Sequence, residues 1–204
     1  PARPPAAAAA ATEPAKRGRR FVAEIARGEC ADWGVQLMPV GTMALELHSL
    51  RDGPPEESPA GGWNRAADRA LGRPRICAGD LVLAINGVRG NVNEMWQRWK
   101  EDEVVRCEIY KPNEVPICVV KDGPLGINIQ SGEVSLFIDQ LNPGPFTVWN
   151  DAHPGQEVRE GDRIVAIGGR RMRAPELLEA LKAASGTLEL VLAQGPHEFR
   201  PAPS

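Results

Sequence analysis

Residues 77–89, CAGDLVLAINGVR, and residues 159–171, REGDRIVAIGGRR, follow one pattern: a Gly-Asp entry, an apolar strand and a glycine exit. Gly79 and Gly161 stand 82 residues apart. Self-similarity at a fixed offset means one structural unit written twice, and it outranks any local reading of the chain. A length of 204 residues accommodates two compact units of about 90 residues each.

The match extends in register. NVNEMWQRWKEDEVVRCEIYKP (91–112) lies over RAPELLEALKAASGTLELVLAQ (173–194). Val92, Met95, Trp96 and Trp99 recur at helical spacing, as do Ala174, Leu177, Leu178 and Leu181, so each set is one apolar stripe of a helix. Gly186 is expected to end the second helix, with Thr187 to Leu192 alternating as a strand; Val105, Cys107 and Ile109 alternate likewise in the first copy. Upstream, Trp63-Asn64 and Trp149-Asn150 each open a predicted short helical segment that leads to the Gly-Asp turn. Further back, DWGVQLM (32–38) parallels PLGINIQ (124–130), a loop running through one glycine into a strand. Gly34 to Gly79 is 45 residues against 35 from Gly126 to Gly161, and RDGPPEESPAGG (51–62) reads as the extra loop.

Each copy thus predicts strand, X-Φ-Gly-Φ loop, two strands, short helix, Gly-Asp turn, strand, helix, strand. On these residues the chain resembles two PDZ domains in tandem: GDLVLAING, with Asn86, and GDRIVAIGG are similar to that family's GDxIxxxNG segment, and DWGV and PLGI to its GLGF loop. The resemblance implies an α+β, mainly β fold with two PDZ-like domains. Each would be a five- to six-stranded, partly open barrel or sandwich capped by two helices. The expected boundaries are 21–111 and 115–195, a linker at 112–114, and disordered tails at 1–20 and 196–204.

The resemblance also implies peptide binding by strand addition, in the groove between the second strand and second helix of each domain. Consecutive backbone N–H groups facing one point make a nest for a terminal carboxylate, and glycine supplies dihedrals that a Cβ would block. Carried over by position, the nests are Asp32, Trp33, Gly34 and Val35, and Pro124, Leu125, Gly126 and Ile127, with Arg27 and Lys121 as the basic residues behind them. Gln36 and Asn128 continue the two peptide-pairing strands. Val35, Leu37, Trp96 and Trp99 take the terminal-pocket positions of the first domain, and Ile127, Ile129, Leu178 and Leu181 those of the second. Val92 and Ala174 fall where the family often has a Ser/Thr-selecting His, which favours an apolar ligand residue there. Pro124 lacks an N–H, and Asp32 sets a negative charge beside a carboxylate site; both weaken the expected binding. The two tryptophans either narrow the first groove or close it. The competing reading of Met95, Trp99, Leu177 and Leu181 is plain core, and Trp63 and Trp149 read as packing residues.

Composition supports no other class. A net charge of −3 gives no reason to expect nucleic acid as partner, and no apolar run approaches a membrane span. Four scattered cysteines without a CxxC pair imply reduced thiols and an intracellular, cytoplasmic setting, with Cys107 and Cys118 the one pair to check for proximity. KRGRR (16–20) reads as a solvated tail. The N-terminal stretch has no secretory apolar region, and a chain opening on Pro1 reads as part of something longer. His48, His153 and His197 are scattered, and GxSxG, a phosphate loop and HExxH are all missing, so no enzyme, metal or cofactor is expected. The functional expectation is a non-catalytic adaptor for C-terminal or internal peptide segments. The alternative is a pair with closed grooves serving dimerisation or domain packing within a larger protein, such as a protease.

Overall fold

The computed structural model describes residues 18–196. The first repeat comprises β1 (Gly18–Ala26), β2 (Val35–Val40), β3 (Ala44–Leu50), α1 (Pro59–Arg69), β4 (Leu81–Ile85), β5 (Val88–Arg89), α2 (Val92–Glu101) and β6 (Val104–Pro112). The second comprises β7 (Glu114–Lys121), β8 (Ile127–Ser131), β9 (Leu136–Leu141), α3 (Pro145–Ala152), β10 (Arg163–Ile167), β11 (Arg170–Arg171), α4 (Ala174–Ala183) and β12 (Gly186–Ala193). Each repeat forms its own six-stranded antiparallel sheet, ordered β1-β6-β4-β3-β2 and β7-β12-β10-β9-β8, with β5 and β11 attached to β4 and β10. Even the irregularities repeat: β-bulges fall at Gln36/Leu37 and Asn128/Ile129, and again at Val82/Ala84 and Ile164/Ala166.

Several boundaries differ from the sequence reading. β1 begins at Gly18 because it pairs with β6 out to Pro112, so Gly18 to Arg20 of the KRGRR run are strand, and Arg20 bonds Glu108 at 3.0 Å. The remainder of the expected N-terminal tail, and His197 with the residues after it, lie outside the described residues. The linker shrinks to Asn113, since β6 ends at Pro112 and β7 starts at Glu114. α1 begins at Pro59, four residues before Trp63: Ser58 caps it by accepting from Gly61 N–H at 3.1 Å. The Gly61-Gly62 pair that reads as loop is helical, and a Cβ on Gly61 would meet Arg51 O at 2.8 Å. In the second repeat α3 likewise starts before its Trp-Asn pair, and α4 ends at Ala183, leaving Gly186 to open β12.

The Trp-Asn repeat has a physical reason. Asn64 clamps the loop before the Gly-Asp turn through Nδ2–H to Ile76 O and from Ile76 N–H to Oδ1, both 2.8 Å. Asn150 does the same to Val158, also at 2.8 Å. Trp63 and Trp149 each donate their indole N–H to the same loop, at Pro74 O and Gln156 O, and pack on their domain's core. Asn86, the non-glycine residue with positive φ (48°) among the described residues, turns β4 into β5 and is held by bonds from Arg106 N–H and to Val104 O.

β4 (LVLAI) and β10 (RIVAI) are buried along their whole length. A strand in a sheet with one wet face should alternate. Val82 and Ile85 enter the first core, whereas Leu81 and Leu83 join Val40, Ala44 and Tyr110 in a separate cluster on the outer face, covered by Phe137 of the second domain. Beside it, Arg163 ion-pairs with Glu46 and donates to Gly79 O at 2.8 Å, while Ser135 Oγ donates to Glu46 at 3.0 Å. The two sheets therefore cover each other's backs, and both grooves lie elsewhere.

All four cysteines are free; Cys107 is buried and Cys118 exposed, so the two form no bridge. Burial pushes the Cys107 thiol up to about 12, which leaves it inert. Among the described residues no helix is long and apolar enough to cross a membrane, and no group of three or more His, Cys, Asp or Glu could hold a metal.

Candidate functional site

β2 and β8 each end their sheet, so each presents one unpaired edge. Gly34 and Gly126, with φ of 71° and 74°, lead into these strands through a conformation that disfavours a side chain. Both also sit tight against the cap of the following helix: a Cβ on Gly34 would meet Ser58 Oγ at 1.9 Å, and one on Gly126 would meet Asn142 O at 2.7 Å. Each loop is tied to its sheet by one backbone bond, Arg51 N–H to Gly34 O at 2.8 Å and Asn142 N–H to Gly126 O at 2.7 Å.

In the first domain a cleft of about 490 Å³ runs beside β2 and α2, lined by Trp33, Val35, Leu37, Trp96 and Trp99 among others. The tryptophans therefore leave space rather than fill it. Trp33, whose backbone places it in the nest, turns its indole inward: it is 4% exposed and donates Nε1–H to Trp99 O at 2.7 Å. Its ring lies 5.0 Å from that of Trp99, so the two indoles form the floor. Leu37, Met95 and Trp99 are buried core, while Val35 and Trp96 are half-buried and Gln36 is exposed on the strand's other face. Val92 is buried at the start of α2, beneath the Asn91 cap that accepts from Glu94 N–H at 3.2 Å.

At the expected nest of this domain the Gly34 N–H is taken by the chain itself. Asp32 Oδ1 accepts from Gly34 N–H at 2.7 Å and from Arg51 Nη2 at 2.6 Å. Arg51 is fixed in turn by donating to Glu57 O at 2.8 Å. The Gly34 N–H holds the Asp32 carboxyl below the usual carboxylate range, against the opposing effect of burial and with Arg51 assisting. Arg51 and Ser58 carry no family signal in the sequence; only the fold brings them to the loop.

In the second domain Leu125 is buried, and Ile127, Ile129 and Leu178 are half-buried along β8 and α4. Ala174, Leu177 and Leu181 are core, so of the expected pocket set Leu178 and the two isoleucines keep accessible surface. Asn128 Nδ2 donates to Gln140 across the strand pair at 2.7 Å. Pro124 offers no side-chain acceptor, and among the described residues Gly126 N–H has no hydrogen-bond partner.

The two basic residues do parallel work at the far end of each groove helix. Arg27 Nη1 donates to Lys100 O at 3.0 Å. Lys121 Nζ donates to Leu181 O, Lys182 O and Ala184 O, each at 2.8 Å. Both cations satisfy orphan carbonyls at a helix C-terminus, where the helix dipole also favours them.

An antiparallel sheet, a glycine loop ahead of an edge strand, a short helix over one end and a second helix beside that edge occur twice. Each half has a PDZ-like fold. No protein-family model matches the chain, and no curated protein does. Among solved structures, a PDZ domain from choanoflagellate GIPC is similar at 23% identity and TM-score 0.34, over 44% of this chain and 99% of that one. INAD PDZ45 in complex with an NG2 peptide is similar at 20% identity and TM-score 0.35, over 95% of this chain and 98% of that one. INAD PDZ45 with NORPA CC-PBM is similar at 16% identity and TM-score 0.38, over 95% of this chain and all (100%) of that one.

Proposed function

We propose that this tandem PDZ-like module is a non-catalytic interaction protein whose second groove binds the extended C-terminus of a partner as an added strand on β8. The observation that carries this is the open Gly126 N–H at the head of an unpaired edge strand, flanked by the half-buried Ile127, Ile129 and Leu178. About four ladder bonds at ~0.5–1.5 kcal/mol each, a charge-assisted carboxylate and one apolar side chain together give micromolar affinity.

The test is titration of the ¹⁵N-labelled chain with apolar-ended hexapeptides carrying a free carboxylate, against their carboxamides. The expected result is a micromolar response of Gly126 and Ile127 to the acids and at least a tenfold weaker one to the amides. Equal binding of acid and amide at β8 overturns carboxylate capture there.

A further inference from the structure

The two grooves differ at one point that decides what each can take. In the second domain the loop's first residue is Pro124, the position of Arg51 is held by Asn142, and the Gly126 N–H is open. In the first domain Asp32 and Arg51, both specific to that copy, place a carboxylate on the corresponding N–H. Asp32 is the residue before Trp33-Gly34, and its side chain folds back two residues onto its own loop. We infer that the first groove is plugged by this internal carboxylate, and that it takes extended internal peptide segments with no free C-terminus. This rests on the reading of both edges as strand acceptors.

The physical argument is competition. A terminal carboxylate entering this nest must displace Asp32 from Gly34 N–H and from Arg51, or sit beside it as a like charge. With its carboxyl held below the usual range, Asp32 is ionised throughout neutral pH, so protonation gives no relief. An internal segment brings no such charge. It needs the free edge of β2 and the apolar cleft over Val35 and Trp96, and both are open. The exposed side chains of Asp32 and Arg51, 59% and 55% accessible, place the plug at the groove's mouth and not in the core. Removing it therefore changes specificity without unfolding the domain.

The experiment uses the whole chain and the same hexapeptides, as acids and as carboxamides, reading Gly34 and the Trp96 indole for the first groove and Gly126 for the second. In the unmodified protein the first groove should bind acid and amide within about threefold of each other. Asp32→Gly should open the nest and free Arg51, so that the acid binds at least tenfold tighter than the amide. Asp32→Asn keeps an oxygen on Gly34 N–H without the charge and should fall between the two. A tenfold acid preference in the unmodified first groove, no gain in Asp32→Gly, or no response of Gly34 and Trp96 to any peptide overturns the inference. Loss of the acid preference at Gly126 alone overturns only the reading of the second domain.

Discussion

Replacing Glu46 by Leu tests the contact that joins the two domains. Arg163 has no exposed side-chain surface, Glu46 has 2%, and Arg163 Nε finds no partner among the described residues. A buried pair of this kind adds little net stability, because desolvating both ions offsets their attraction. Removing one partner is different: Glu46→Leu leaves a guanidinium buried with only Gly79 O at 2.8 Å to receive it. The expected cost is about 3–5 kcal/mol. For a chain of this size that is a fall in Tm of about 6–20 °C. The double variant Glu46→Leu/Arg163→Leu should return to within about 1 kcal/mol of the original protein. Leucine is the apt replacement, since Leu81 fills the position equivalent to Arg163 in the first repeat and is fully buried there. Urea unfolding at neutral pH, followed by tryptophan fluorescence and circular dichroism for all four members of the cycle, measures the coupling. A single variant costing less than about 1 kcal/mol, or a double variant as unstable as the two singles summed, refutes the assignment of these residues to one desolvated interface.

Asn64→Ala should strand the buried N–H and C=O of Ile76, each bonded to Asn64 at 2.8 Å, and cost about 2–4 kcal/mol in urea unfolding; a loss under about 0.5 kcal/mol would show that the loop does not depend on the clamp. Asp80 supplies a pH test: burial raises its carboxyl above the ordinary 3.8, against the lowering pull of Lys111, the Cys77 N–H and Arg163. The folded state thus holds this proton more tightly than the unfolded one, so the contribution is full below the unfolded value and is lost as pH rises through the folded one. Relative to Asp80→Asn, the unmodified protein should lose stability as pH rises from the ordinary carboxylate range towards neutrality, and thermal melts of both that diverge the other way refute it.

Much of the fold was legible because it is local. Helical spacing at Val92, Met95, Trp96 and Trp99 places α2 at Val92–Glu101, and the same stripe places α4. The Gly-Asp turns, the glycines before β2 and β8, and the Trp-Asn pairs all recur because each repeat solves the same closure with the same residues. Boundaries were less legible where a long-range contact overrides local character. Gly61 and Gly62 look like loop, yet they are helical because the preceding loop packs on their bare face, where a Cβ would meet Arg51 O or Pro55 Cγ at 2.8 and 2.6 Å. Gly18 to Arg20 look like tail, yet they gain a ladder from β6.

The sequence by itself determined that there are two copies of one unit and which residues line each edge strand, since these follow from spacing along the chain; the positions of the nests were what the family resemblance implied. Only the tertiary structure decided how those residues are used. Arg27 and Lys121 carry no mark that assigns them to a helix C-terminus, and Asp32 carries none that assigns it to its own nest through Arg51, 19 residues away. Glu46 and Arg163 are 117 residues apart, and nothing local in the chain pairs them. Periodicity reports which face of a strand is covered; it cannot report what covers it, because that depends on where the other domain's sheet comes to rest.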